Sequence, residues 1–153
     1  MTAKRPPSEL NAHLGYWLRT VSNHASHAFA AKVAAKGVTV AEWVVMRVLY
    51  GKDPMPPSRV ADEMGMTRGA ITKLADRLIA KSLVVRKANR DDGRAQTLAL
   101  TPHGHRLVPE LAALADRNDA EFFDTLPAAD RDALAQMLKR LVDRWQITAV
   151  PVD

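Results

Sequence analysis

A mainly α-helical fold of six helices carrying one small β-hairpin is predicted by three observations on this 153-residue chain. Apolar residues recur at three- and four-residue steps over most of its length, as helices with one buried face require. Only two short runs, 83–87 and 96–100, have a β-prone composition, and a turn-forming segment separates them. Elsewhere prolines and glycines interrupt the helical pattern where helices should end.

The first helix follows from the series Leu10, Leu14, Trp17, Leu18, Val21, Ala25, Ala28, Phe29 and Val33, with Ser8 placed to cap its start and Gly37 its end. Thr39-Val40-Ala41-Glu42 has the spacing of a capping box, in which two side chains satisfy each other's free amides, and opens a second helix reaching Tyr50. Three prolines within 52–57 exclude helix there and predict a connector. Ser58 is then placed to cap a short helix over 59–64, Gly65 to form a tight turn, and Thr67 to cap a helix over 68–81. Short helix, glycine turn and helix is the spacing of a helix-turn-helix. Ile71, Leu74, Ala75, Leu78 and Ile79 form the inward stripe of its second helix, which turns Arg68, Gly69, Thr72, Lys73, Asp76 and Arg77 to solvent.

The hairpin comes next, closed by Asn89-Arg90-Asp91-Asp92-Gly93, and makes the unit a winged helix-turn-helix. Thr101 and Pro102 are the cap and first residue of a fifth helix carrying Leu107, Leu111, Leu114 and Phe122, which Pro109 is expected to bend. After Pro127 the series Leu134, Met137, Leu138, Leu141, Val142 and Trp145 gives the sixth helix, and the tail beyond Ile147 is expected to fray. The chain is expected to be one domain, 1–153. Within it 38–104 forms the winged lobe, and 8–37 with 105–147 supplies dimerisation helices, whose broad apolar faces exceed what one small lobe covers.

The absence of cysteine excludes disulfides, thiolate metal sites and thiol-based sensing. No run of about 18 apolar residues marks a membrane span, and the basic opening leads into Pro6-Pro7 instead of a secretion segment, so a cytoplasmic protein is expected. No Gly-rich phosphate loop, zincin motif or nucleophile elbow is present, which argues against an enzyme. The net charge is +5, and its location is informative: residues 58–106 hold ten basic and five acidic residues, leaving twelve of each in the rest of the chain. The entire cationic excess therefore lies in the helix-turn-helix and hairpin, which points to a polyanionic partner there.

Several segments resemble the MarR family of winged-helix regulators. Thr39-Val40-Ala41-Glu42-Trp43 resembles its second-helix opening, Ser58 to Met64 its third helix, and Thr67 to Leu78 its recognition helix. Asp92-Gly93-Arg94-Ala95, followed by Leu98-Ala99-Leu100-Thr101 and Gly104, resembles its wing-tip signature and the strand behind it. Ser82 departs from a Gly helix cap common in the family, and Gly93 from a second wing arginine. The resemblance covers nearly the whole chain. It implies a homodimer whose two lobes read a pseudo-palindromic site in double-stranded DNA, a repressor whose effectors are small aromatic anions, and no cofactor.

On this reading Arg68 and Lys73 reach base acceptors or phosphates, while Gly69 and Thr72 are small enough to admit the duplex groove. Thr67 and Arg77 flank them, and Ser58 offers a hydroxyl and helix-start amides to a phosphate. Arg94, with Arg90, is placed to enter a minor groove, and Arg86 and Lys87 to touch phosphates. An effector pocket is expected where the first, second and fifth helices meet, with His13, Trp17, Trp43, Met46 and Arg47 as its candidate lining, although Trp17 and Trp43 lie at core spacings and structural packing is their default reading. His24/His27 and His103/His105 raise a metal-responsive alternative, but no third ligand completes either pair, so no metal site is assigned. A second alternative is an architectural DNA-binding protein without sequence preference or effector.

Overall fold

Local signals place most elements, with shifted edges. A 3-10 turn at Leu10–Ala12 precedes α1 (Leu14–Ala34), α2 (Val40–Leu49), α3 (Pro57–Met64), α4 (Arg68–Ala80), β1 (Val84–Ala88), β2 (Gln96–Leu100), α5 (Pro102–Phe123) and α6 (Ala128–Trp145) in the computed structural model, which describes residues 5–88 and 96–153. The capping box is formed: the Glu42 amide donates to Thr39 Oγ1 and the Thr39 amide to Glu42 Oε2, both at 3.2 Å. Thr67 caps α4 by accepting from the Ala70 amide, and Thr101 caps α5 by accepting from the Gly104 amide.

Two expected caps are replaced. Ser8 does not open the first helix, because His13 adopts an extended conformation and divides the 3-10 turn from α1. The Trp17 indole donates to the Asn11 carbonyl at 2.9 Å, so a side chain satisfies a carbonyl that a continuous helix would have used. Ser58 lies inside α3, which begins at Pro57 with Pro56 as its N-cap. Proline at the first helical position has a preset φ and no amide to satisfy, so the helix starts one residue before the hydroxyl. Gly65 ends α3 in the left-handed region, as the turn requires. α5 continues through Pro109.

β1 and β2 pair antiparallel, with Val84 opposite Leu100 and Ala88 opposite Gln96. The connector adds a bridge that sequence did not suggest: Met55 and Leu98 exchange backbone hydrogen bonds of 3.1 and 2.8 Å. This fastens the segment before α3 to the hairpin and buries both side chains. One core results, built from Val45, Met46, Val60, Met64, Ile71, Leu78 and Leu98 and covered by Val33 of α1 and by Val108 and Leu111 of α5. The winged lobe therefore draws core residues from beyond the expected limits 38 and 104.

α1 and α5 pack side by side around a polar pin. Asn118 donates to the Ala25 carbonyl and accepts from Lys32, which also pairs with Glu121 at 2.9 Å. The first half of α1 and the whole of α6 remain outside the core: Leu14, Trp17, Leu18 and Val21 are exposed on one, and Met137, Leu138, Leu141, Val142 and Trp145 on the other.

Candidate nucleic-acid interface

The inward stripe of α4 is anchored in the core, since Ile71, Leu74, Ala75 and Leu78 are buried. That anchorage fixes which side of the helix meets solvent. Arg68, Gly69, Thr72, Lys73, Asp76 and Arg77 are all exposed, as the periodicity predicts, and Thr67 is exposed at the cap. Thr72 turns its hydroxyl onto the Arg68 carbonyl at 3.0 Å, leaving its methyl group as the outer surface. Among the described residues nothing lies within 4 Å of where a Gly69 side chain would begin, so no contact seen there demands glycine. The bare backbone at that point is open to a ligand from outside.

The nominated residues fall into three settings. Arg68, Lys73 and Arg77 present cationic ends on α4, and among the described residues no carboxylate stands within ion-pairing distance of them. Arg86 on β1 is held by Asp76 at 2.5 Å, which ties the hairpin to the outward face of α4. Lys87 is exposed one residue further along β1, and Ser58 is half-buried within α3. Arg90 and Arg94 lie outside the described residues, as do the turn residues Asn89, Asp91, Asp92 and Gly93.

A second tie was not foreseen. Lys81, at the end of α4, donates to the Gly37 carbonyl at 2.8 Å and to Glu42 Oε2 at 2.7 Å. Glu42 is buried, so its carboxylate is satisfied by the Thr39 amide and the lysine together. Around α3, Glu63 pairs with Lys52 and Arg59 at 3.2 and 3.3 Å. The hydrogen bond and positive charge of Lys52, with a lesser contribution from Arg59, hold its carboxyl below the ordinary carboxylate range.

The five residues proposed to line an effector pocket do not converge. Met46 is fully buried in the core. Trp17 lines an apolar groove with Leu14, Leu18 and Val21, His13 lines a separate one with Tyr16 and Arg19, and Trp43 lines a third beside Phe29. Arg47 lies over the Tyr50 ring, 5.7 Å from its centroid. Helical spacing gave each residue a face but not the element opposite it, which is why the set dispersed. Of the paired histidines, His24 meets Phe122 edge-on and His105 stacks against Tyr50. Among the described residues no three His, Cys, Asp or Glu side chains are grouped to hold a metal ion, and no helix is long and apolar enough to cross a membrane.

Comparison with known proteins agrees with this geometry. The MarR family model matches residues 36–95, which span α2 to the hairpin. The HTH-type transcriptional regulator MhqR of Bacillus subtilis is 30% identical over 109 residues, covering 69% of this chain and 72% of MhqR. Two solved structures share the fold. BpsR of Bordetella bronchiseptica, whose DNA binding is regulated by 6-hydroxynicotinic acid, superposes with a TM-score of 0.78 at 23% identity, covering 90% of this chain and 99% of that one. MepR of Staphylococcus aureus, solved in complex with DNA, superposes at 0.77 with 18% identity, covering 86% and 98%. The order of elements, the anchored helix with its cationic outer face and the identity to MhqR lead to one assignment: the chain belongs to the MarR family of transcriptional regulators.

Proposed function

We propose that this chain is a ligand-responsive repressor, acting in the cytoplasm as a homodimer that reads a pseudo-palindromic site in double-stranded DNA. The observation carrying the proposal is the outer face of α4, where Arg68, Lys73 and Arg77 surround the small residues Gly69 and Thr72 while the opposite face is locked into the core. Such a face offers charge to phosphates and room for a groove edge. The exposed apolar sides of α1 and α6 support dimerisation, because a second copy would remove them from water. The MepR–DNA complex and the regulation of BpsR by an aromatic acid support the DNA and effector parts of the reading.

Selection of bound duplexes from a random library, with and without aromatic carboxylates, tests the proposal. Enrichment of a two-fold symmetric sequence is expected, with loss of binding when an effector is present. If about four phosphates are neutralised per lobe, log affinity should fall against log salt with a slope of about −7. A slope near zero overturns DNA binding, and equal affinity for all duplexes replaces the repressor with an architectural protein. Arg68→Ala or Thr72→Ala should relax base preference, whereas Lys87→Ala should weaken all sequences alike.

A further inference from the structure

The tail beyond α6, expected to fray, is docked on the winged lobe. Gln146 ends α6 in the left-handed region, and the Ile147 amide returns to the Val142 carbonyl at 3.0 Å, which turns the chain out of the helix. The Val150 amide then donates to the Met64 carbonyl at 3.1 Å, at the end of α3. Ala149 crosses Gly65 so closely that a methyl group on the glycine would stand 2.8 Å from Ala149 Cα. Val152 packs against the lobe core, and Pro151 and Asp153 line the cleft between α1 and α2 beside Phe29 and Trp43.

These contacts join α6 to the lobe, which the dimerisation arm otherwise meets through α1 and α5. No residue of α6 is buried, so the helix itself is weakly held against the lobe. The tail gives it a second attachment, and the anchor point is the turn of the helix-turn-helix, only three residues before Arg68. We propose that residues 147–153 act as a strap that fixes the orientation of each DNA-reading lobe relative to its dimerisation arm. A dimer reaching two half-sites at once needs a defined spacing between lobes, and an element that narrows that spacing preorganises the protein for the full site. A half-site needs no such spacing. The strap bears on DNA affinity through the two-lobed reading proposed above, whereas its effect on lobe orientation stands apart from any DNA.

Two measurements on the whole protein separate these levels. With no native cysteine, a single nitroxide at Asp53→Cys, on an exposed part of the lobe, reports the distance between lobes of the dimer by pulsed electron resonance. Removal of 148–153 should turn one narrow distance distribution into a broad one, and an unchanged distribution overturns the proposal. On the selected operator, the shortened protein should bind the full site about tenfold more weakly and a half-site within about twofold of the intact chain. Equal losses on both sites, or none on either, overturn it as well. Val152→Asp, which expels the strap without shortening the chain, should repeat both effects and covers the case in which the shortened protein fails to fold. If the intact protein binds no DNA, the proposed function fails while the label distances still decide the strap.

Discussion

Replacing Gly104 by alanine should destabilise the protein by about 2–3 kcal/mol, although the same change in a helix ordinarily stabilises. A β-carbon on Gly104 would sit 2.1 Å from the Leu83 carbonyl oxygen and 3.2 Å from Leu100 Cδ2. The first turn of α5 would have to move away from the strand it abuts by about 1 Å, since non-bonded carbon and oxygen approach no closer than roughly 3 Å. That movement strains two hydrogen bonds at the junction: Thr101 amide to Leu83 carbonyl, 3.1 Å, and Thr101 hydroxyl to Ser82 carbonyl, 2.7 Å. At about 1 kcal/mol each, with roughly 1–2 kcal/mol for repacking Leu100, the losses exceed the gain of up to about 1 kcal/mol from helix propensity. Thermal unfolding followed by circular dichroism should show the midpoint lowered by roughly 5–10 °C. Gly69→Ala is the counterpart, because none of the described residues crowds that position. It should raise the midpoint, by up to about 1 kcal/mol of stability, while weakening binding to the selected operator. A Gly104→Ala protein melting at or above the parent would refute the steric reasoning.

Ser82 holds a left-handed backbone with φ +58, so Ser82→Gly should stabilise the fold by about 0.5–1 kcal/mol, read as a higher urea midpoint at unchanged slope; an unchanged or lower midpoint would show that the turn is not strained. Lys81→Met leaves the buried Glu42 carboxylate without its cation and should destabilise by roughly 2 kcal/mol, less than a fully buried pair would lose because the Lys81 side chain is 39% exposed. Restoring a neutral partner with Glu42→Gln in the same protein should recover part of that loss, and a double-mutant cycle without coupling would refute the tie. Glu63 has a folded pKa below its unfolded value, so its pairing with Lys52 and Arg59 stabilises the protein above the ordinary carboxylate pKa and is lost as pH falls through the lowered folded value. Glu63→Gln should therefore shrink the midpoint difference between neutral and acid pH, most clearly at low salt.

What could be read from the residues was what neighbouring residues decide. The capping box at Thr39, the N-cap at Thr67, the left-handed turn at Gly65 and the proline start of α5 all depend on side chains within four positions, and each stands where the sequence puts it. The outward face of α4 was legible for a related reason. Once Ile71, Leu74, Ala75 and Leu78 are assigned inward, helical geometry leaves no freedom in where Arg68, Lys73 and Arg77 point. Even a local signal misleads when two compete, as Pro57 and Ser58 do for the start of α3. Contacts across the chain carried no such signal. Lys81 meets Gly37 and Glu42 from about 40 positions away, and Val150 meets Met64 across more than 80. The effector lining nominated from the sequence meets the same limit, since Trp17 and Trp43 sit on helical faces that period alone cannot aim at each other, and within one chain they line separate grooves. The same distinction explains why the tail looked free. Thr148 to Asp153 contains no helix or strand pattern, and its order comes from one backbone hydrogen bond and one apolar side chain placed on a lobe that only the folded chain brings near.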